Sequence, residues 1–173
     1  MIKRQGIFKF QGMDVTVVGE DLQVGDLAPE FTPQAKDWSS VAALESTAGK
    51  VRIIGSMPSF STSVCDRETR RFNEEAASLG DEVAILMVSM DLPWTLRNWC
   101  AAAAVERLQL LSDHKEAEFG EKYGVLLLEP RIFRRAIFVV DRAGKIANAD
   151  YLPVLGEEPD YAKVLEVARQ AIG

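Results

Sequence analysis

Two cysteines offer the most reactive chemistry in this sequence. Cys65 and Cys100 are the only thiols among 173 residues. In a reducing compartment a cysteine pair is more often catalytic, redox-sensing or metal-binding than a structural staple. A structural zinc site takes four Cys or His ligands, and His114 is the only histidine available to join the two cysteines. The pair therefore indicates either redox chemistry or plain packing in the core.

Cys65 stands where a loop meets a predicted helix. Residues 51–57 are a buried-strand candidate, and residues 65–79 show helical spacing of apolar side chains. A helix N-terminus leaves backbone N–H groups unpaired and carries partial positive charge, so it favours a thiolate, the reactive form of cysteine. Thr62 offers a hydroxyl to the sulfur, and Pro58 lacks an N–H that would compete for the anion. A cysteine simply buried in the core explains the same position equally well.

Strand and helix patterns alternate through the rest of the chain. Alternating apolar residues on either side of Gln11-Gly12 predict a β-hairpin across residues 7–18. The continuous apolar run at 83–89 predicts a strand covered on both faces. This order predicts an α/β protein with a thioredoxin-like fold, in which helices flank a central mixed sheet after an N-terminal β-hairpin. The remaining predicted elements are a short helix near 40–44, helices at 93–105, 115–123 and from Pro159 onward, and strands at 108–111, 136–140 and 145–149.

Composition and charge narrow the classes of function. We expect a single domain over residues 1–173, because a chain of this length can bury a full core. The net charge of −6 argues against nucleic acid or an anionic membrane as a partner, since both need clustered Lys and Arg. No signal peptide, anchor or membrane-spanning stretch is expected, and this favours a cytoplasmic protein.

The segment that ends at Cys65 resembles a known family signature. Pro58, Thr62 and Cys65 stand as in the Pro-x-x-x-Thr-x-x-Cys signature of the peroxiredoxins. The resemblance narrows to the thiol peroxidase subfamily, the atypical two-cysteine type, and extends over nearly the whole chain. Further matching segments are 10–12 with 15–17, 25–31, 89–93 followed by Trp99-Cys100, 117–119 with 123–125, 135–141 and 158–161.

This resemblance implies a thiol-dependent peroxidase that needs no metal, flavin or haem cofactor. Cys65 is implied to be the peroxidatic cysteine, which attacks a peroxide and becomes a sulfenic acid. Thr62 is implied to orient the peroxide, Pro58 to shield the thiolate, and Arg135 to be the active-site arginine. The neighbouring Arg134 is the alternative. Adjacent strand residues point to opposite faces, so only one of the two arginines can face Cys65.

Cys100 is implied by the same resemblance to be the resolving cysteine, which forms a disulfide with Cys65 within one subunit. Hydrogen peroxide and small organic hydroperoxides are the expected substrates, and thioredoxin is the expected reductant. Because Cα atoms more than about 7 Å apart cannot be bridged, we expect unwinding around both helix starts during turnover. Alanines at 101–104 are expected to stiffen the helix and to oppose this movement. The alternatives are a one-cysteine peroxidase with a structural Cys100, and a non-catalytic redox-sensing or chaperone-like protein.

Other polar and aromatic residues are assigned structural roles. His114 follows Ser112-Asp113 at a predicted helix start, which favours a surface or capping role over that of a catalytic base. Trp94 and Trp99 are expected in the core or at a subunit contact, and the resemblance implies a homodimer. Arg131 is a weaker candidate for the active-site arginine. A solvated helix face is expected for Arg67, Arg70, Arg71, Glu68, Glu74 and Glu75.

Overall fold

Strands and helices alternate along the chain, as the sequence patterns predict. The computed structural model describes all residues, 1–173. Two short 3₁₀ turns, Glu45–Thr47 and Gly80–Glu82, lie between the regular elements. In chain order these elements are β1 (Lys3–Phe10), β2 (Met13–Val18), β3 (Val51–Ser56), α1 (Ser63–Leu79), β4 (Val83–Ser89), α2 (Pro93–Ala103), β5 (Gln109–Ser112), α3 (Glu118–Lys122), β6 (Leu126–Leu127), β7 (Ile132–Phe133), β8 (Ala136–Val140), β9 (Ile146–Tyr151) and α4 (Tyr161–Ile172).

Five strands form the central sheet, in the order β5-β4-β3-β8-β9. Strands β3, β4 and β5 run parallel to one another, whereas β8 pairs antiparallel with both β3 and β9. Parallel neighbours need crossover connections, and α1 and α2 supply them here. This mixed central sheet with flanking helices confirms the predicted fold class.

The core has one layer of side chains on each face of the central sheet. Alternation along β3 sends Ile53 to one layer and Ile54 to the other. The first layer contains Cys65 and Phe72 of α1, together with side chains from α2 and α4. The second layer contains Phe119 of α3 and side chains from the hairpin and from β6 and β7. The reactive cysteine therefore lies inside the layer between α1 and the sheet.

The three long helices begin and end at residues with identifiable local roles. Helix α1 begins after its N-cap Thr62 and ends at Gly80, whose φ of 67° lies in the left-handed region that favours glycine. Helix α2 has Pro93 in its first turn and ends where Ala104 turns left-handed, with φ of 53°. Helix α4 is capped by the side chain of Asp160. None of the helices combines the length and the apolar character needed to cross a membrane.

Two of the predicted helices differ from the structure. Residues 40–44 are not helical, and the nearest helical turn is the 3₁₀ turn Glu45–Thr47. The predicted helix at 115–123 is shortened to α3 at both ends. It begins late because Ala117 takes a left-handed conformation, with φ of 55°, and the carboxylate of Asp113 accepts a hydrogen bond from the N–H of Gly120.

A second sheet is the part of the fold that the sequence patterns did not reveal. It contains four antiparallel strands in the order β1-β2-β6-β7. The predicted hairpin is confirmed as β1 and β2, and Gln11 and Gly12 at its turn both have positive φ, 51° and 80°. Strands β6 and β7 have two residues each. Such short strands carry no periodic signal, and only the pairing of β6 with β2 and of β7 with β6 makes them part of a sheet.

Candidate active site

Cys65 lies in the first turn of α1, and Thr62 caps this helix. The backbone of Thr62 is extended, and its Oγ1 accepts a hydrogen bond from the N–H of Cys65 at 3.3 Å. The same hydroxyl donates to the carbonyl oxygen of Ser59 at 3.1 Å. The Cys65 side chain is fully buried and is not bonded to Cys100. The N-terminal end of α1, where the helix dipole is positive, therefore lies at Cys65.

Arg135 reaches Cys65 from the chain that enters β8. Its Nη2 donates to the Cys65 Sγ at 3.2 Å, and its side chain is buried. Strand pairing explains this contact, because Ser56 at the end of β3 pairs with Ala136 at the start of β8. The loop that leads from β3 to Cys65 and the segment that carries Arg135 consequently lie side by side. The permanent positive charge of the guanidinium stabilises a thiolate at this distance.

Arg134 points to the opposite face of the sheet, as alternation along the chain requires. Its Nε and Nη2 donate to the carbonyl of Gly124 at 3.0 and 2.7 Å, and its Nη2 also pairs with Asp21. The guanidinium stacks over the ring of Tyr151, 4.3 Å from its centroid. Arg131 is exposed at the turn between β6 and β7. Among these candidate arginines, only Arg135 contacts Cys65, and Arg135 is the one that the sequence favoured.

Glu68 is a site residue that the sequence analysis placed in the wrong environment. Instead of facing solvent it is completely buried, and its Oε2 accepts a hydrogen bond from Nη1 of Arg135 at 2.5 Å. Its Oε1 has no hydrogen-bond partner. Burial raises the pKa of Glu68 to about 7, although the charge of Arg135 opposes this shift. Helical spacing contained the signal, since Cys65, Glu68 and Phe72 repeat at intervals of three and four on the buried face of α1.

The backbone carbonyl of Leu155 completes the contacts of the Arg135 guanidinium. This oxygen accepts hydrogen bonds from Nε at 3.3 Å and from Nη2 at 3.1 Å. Leu155 lies in the segment between β9 and α4. Glu68 and Leu155 thus hold the guanidinium plane so that one nitrogen faces the sulfur. A backbone acceptor has no side-chain signature, and for this reason the sequence did not reveal it.

Asp91 holds the loop that carries Pro58 from β3 to α1. Its carboxylate accepts hydrogen bonds from the hydroxyl of Ser59 and from the N–H of Phe60, both at 2.8 Å. Pro58 itself is buried beside these contacts. The shape of this loop determines where α1 begins, so Asp91 positions Cys65 without touching it. In the sequence Asp91 was noted only as part of a matching segment, because its partners lie about thirty residues earlier in the chain.

Comparison with known proteins shows the family to which this chain belongs. The redoxin family model matches residues 23–165. The chain is 42% identical to the thiol peroxidase of Bacillus subtilis strain 168 over 163 residues. The aligned region covers 94% of this chain and 96% of that protein. The chain belongs to the thiol peroxidases of the redoxin family. It is thus a thiol-dependent, peroxiredoxin-type peroxidase.

Two further relatives match over nearly their whole length. The thiol peroxidase of Oceanobacillus iheyensis is 47% identical over 156 residues, which are 90% of this chain and 94% of that protein. A peroxiredoxin-like protein from Aquifex aeolicus, known from a crystal structure, is 34% identical in sequence. The two structures superpose with a TM-score of 0.85, and the match covers 96% of this chain and 98% of that one. The family assignment therefore applies to the fold as well as to the sequence.

Cys100 lies in the C-terminal half of α2 in this thiol peroxidase. Pro93 begins this helix well before Cys100, and Ala104 ends it soon after, close to the predicted bounds of 93–105. The side chain is half-buried, and it lines a cavity of about 290 Å³ with Lys36 and Leu110 among its neighbours. Burial raises the pKa of the Cys100 thiol.

His114 makes no direct hydrogen bond to Cys65 or Arg135 in this thiol peroxidase. Its Nδ1 is 2.9 Å from the hydroxyl oxygen of Ser112. The imidazole ring meets the ring of Trp38 edge-on, with the centroids 5.7 Å apart. These contacts fit the structural role that the sequence predicts for this histidine.

Proposed function

We propose that this protein reduces hydrogen peroxide and small organic hydroperoxides, with Cys65 as the nucleophile. The observation that supports this most directly is the contact of Arg135 Nη2 with Cys65 Sγ at 3.2 Å, at the N-terminus of α1. The thiolate attacks one peroxide oxygen, the O–O bond breaks, and the other oxygen leaves as water or an alcohol after protonation. Cys65 becomes a sulfenic acid. Arg135 donates to the oxygens on which negative charge develops.

Thr62 and Pro58 are proposed to control how the peroxide approaches the sulfur. The Thr62 hydroxyl caps α1, and the residue is exposed to solvent. A hydroxyl can rotate, so the same group can donate to a peroxide oxygen at the helix start. Pro58 is buried and has no N–H that would compete with the peroxide for the thiolate. Together they leave Arg135 as the principal charged donor to the substrate.

We propose that Cys100 then resolves the sulfenic acid as an intrasubunit disulfide, which thioredoxin reduces. Cys100 is the only other thiol, and its side chain packs against the same core layer that contains Cys65. Both thiols are free in this conformation. Because a disulfide requires Cα atoms within about 7 Å, we expect local unwinding of the first turn of α1 and of the C-terminal half of α2.

A one-cysteine mechanism is the second candidate, and two features of α2 favour it. Trp99, rather than Cys100, faces α1 through a hydrogen bond to Asp66. Burial also raises the pKa of the Cys100 thiol, which lowers its thiolate fraction near neutral pH. In this mechanism an external thiol reacts directly with the Cys65 sulfenic acid.

A thioredoxin-coupled assay with two cysteine variants separates the two mechanisms. NADPH oxidation is followed with thioredoxin, its reductase and peroxide. We expect Cys65→Ser to abolish turnover, and Cys100→Ser to lose coupled turnover while still consuming one equivalent of peroxide. Full coupled turnover in Cys100→Ser would establish the one-cysteine mechanism. Peroxide consumption by Cys65→Ser would contradict the proposed nucleophile.

The two adjacent arginines provide a matched pair of variants for the role of Arg135. We expect Arg135→Lys to lower kcat/KM by about 10²-fold, because lysine keeps the charge but loses the donor that faces the sulfur and the developing oxyanion. Arg134→Lys should keep kcat/KM within about threefold, since its contacts lie on the other face of the sheet. Equal losses in both variants would mean that the Cys65 contact has no special part in catalysis.

The oligomeric state of the protein and its location in the cell stay predictions. The predicted homodimer is supported by an exposed aromatic surface, where Trp38 and Trp94 meet edge-on with centroids 4.9 Å apart beside the exposed Leu92. Trp94 is therefore available for a subunit contact, whereas Trp99 packs inward. A single domain over 1–173 and a cytoplasmic location are likewise predictions from the sequence.

A further inference from the structure

Trp99 joins the two helices that carry the cysteines. Its Nε1 donates to Oδ1 of Asp66 at 3.0 Å, and Oδ2 of the same carboxylate accepts from Nε of Arg70 at 2.9 Å. The Arg70 guanidinium lies over the Trp99 ring, 5.5 Å from its centroid. The ring also packs against Phe60, with centroids 5.7 Å apart. We call these four residues, Phe60, Asp66, Arg70 and Trp99, the Trp99 clasp.

The clasp is one residue away from each cysteine. Asp66 follows Cys65 directly, and Trp99 directly precedes Cys100. Consecutive residues of a helix point about 100° apart, so the side chain that faces α1 is that of Trp99. Cys100 instead lines the cavity beside Lys36. The arrangement that holds α2 against α1 therefore keeps Cys100 turned away from Cys65.

Disulfide formation must open this clasp. Both thiols are free in this conformation, and we expect the disulfide to require movement of at least one helix segment, because its two Cα atoms must come within about 7 Å. Unwinding the first turn of α1 displaces Asp66, and unwinding the C-terminal half of α2 displaces Trp99. In either case the hydrogen bond between Trp99 and Asp66 breaks before the two sulfurs can meet.

We propose that Trp99 and Asp66 are positioning residues that set the rate of the resolving step. This inference rests on the proposed function of Cys65 and Cys100. In that step the Cys100 thiolate attacks the Cys65 sulfur, the S–S bond forms and the S–O bond breaks. The hydroxide that leaves takes up a proton and becomes water.

The clasp thereby also sets how the sulfenic acid is partitioned. While the clasp is closed, a second peroxide can oxidise the Cys65 sulfenic acid to a sulfinic acid and is itself reduced to water or alcohol. A slower opening leaves more time for this second oxidation. The same four side chains consequently determine the peroxide concentration at which the enzyme inactivates itself.

Single-turnover experiments with Trp99→Phe test this proposal. The variant keeps an aromatic ring against Phe60 but removes the Nε1 donor to Asp66. Peroxide consumption measures the first step, and intact mass after rapid quenching measures disulfide and sulfinic acid in the second. The matched control is Trp94→Phe, because Trp94 is exposed on the same helix and its ring meets Trp38 rather than α1.

We expect Trp99→Phe to form the disulfide about fivefold faster than the wild type, which corresponds to the loss of one hydrogen bond of about 1 kcal/mol. The peroxide concentration that converts half of the protein to sulfinic acid should rise by a similar factor. Trp94→Phe should match the wild type in both measurements. A disulfide rate in Trp99→Phe that equals or falls below that of the wild type, with peroxide consumption intact, would overturn the proposal.

Asp66→Ala, which removes the acceptor, and the double variant with Trp99→Phe provide an independent measurement of the same bond. If both residues act through one hydrogen bond, the double variant should be no faster than the faster single variant. Multiplied effects would mean that the two residues act separately and would contradict the clasp. Absence of Cys65-dependent peroxide consumption in the wild type is a different failure, because it overturns the proposed function itself.

Discussion

Three buried side chains, those of Cys65, Arg135 and Glu68, share a single positive charge in the candidate active site. Two full negative charges beside one guanidinium would leave an uncompensated buried charge, which is costly. Because burial raises the pKa of Glu68 to about 7, its carboxyl group holds a proton below that pH. The guanidinium charge then faces Cys65 without a competing negative charge on Glu68. Below that pH, the pairing with Glu68 therefore orients Arg135 without neutralising its positive charge.

The raised pKa of Glu68 makes the stability of the protein depend on pH. The folded protein binds a proton at Glu68 up to about pH 7, whereas the unfolded chain releases it near the ordinary value of 4.5. The free energy of unfolding should therefore fall by about 1–3 kcal/mol as the pH rises from 5 to 7, and then level off. Asp113, whose pKa burial raises to about 6, contributes with the same sign.

Urea unfolding between pH 5 and pH 8 measures this dependence. Glu68→Gln should flatten the slope, and the remaining slope reflects Asp113. Glu74→Gln is the control, because Glu74 is exposed on the same helix and its replacement should leave the slope unchanged. A slope of wild-type size in Glu68→Gln would show that Glu68 is ionised throughout this range.

At the scale of elements, the end of α2 determines how firmly Cys100 is held. The sequence suggested that the alanines at 101–104 would extend and stiffen the helix. The structure ends the helix at Ala103, and Ala104 adopts the left-handed conformation, with φ of 53°. A left-handed conformation costs an alanine roughly 1–2 kcal/mol. The helix therefore continues for fewer residues after Cys100 than the alanines at 101–104 predicted. The residue that ends it, Ala104, is under strain.

Glycine substitutions at two neighbouring alanines should have opposite effects. Ala104→Gly should raise the free energy of unfolding by up to about 1 kcal/mol, because glycine adopts the left-handed region without strain. Ala102→Gly, within the exposed part of the helix, should lower it by about 1 kcal/mol. Thermal and urea unfolding of the reduced protein measure both. Destabilisation by Ala104→Gly would contradict the left-handed end of α2.

At the scale of the whole molecule, Asp21 attaches the second sheet to the central one. Its carboxylate pairs with Arg4 of β1 at 2.8 Å and with Arg134, which enters β8. Burial opposes ionisation of Asp21, but the two arginines hold its pKa below the ordinary value. Gly124 adds to this contact, because the Arg134 guanidinium donates to its carbonyl. The hairpin is consequently fastened to the strand that presents Arg135 to the active site.

Replacing Asp21 tests this attachment. Asp21→Asn should lower the free energy of unfolding by about 2 kcal/mol, a value below that of a fully buried pair because Asp21 is 33% exposed. Asp14→Asn is the matched control, since Asp14 pairs with Lys9 in the same hairpin but both side chains are more than half exposed. Its effect should stay within about 0.5 kcal/mol. Equal effects of the two variants in urea unfolding would show that the Asp21 pair is not a structural attachment.

Local signals in the sequence were sufficient for several features that depend on neighbouring residues. The helical spacing of apolar side chains over residues 65–79 predicts a helix start close to Cys65. The apolar run of β4 and the turn at Gln11-Gly12 predict a buried strand and a hairpin by themselves. Alternation along the chain was enough to state that only one of two adjacent arginines can face the cysteine. These features follow from backbone geometry within a few residues.

Only the tertiary structure decided the features that depend on distant parts of the chain. Helical spacing placed Glu68 on the same face as Cys65, but burial of that face results from the packing of α1 against the central sheet. The contacts of Arg135 with Leu155, the second sheet, and the direction in which Cys100 points all require elements far apart in sequence to meet. Desolvation and packing depend on everything that surrounds a position. The sequence by itself therefore determined which groups can react, and the tertiary structure determined which of them are brought together.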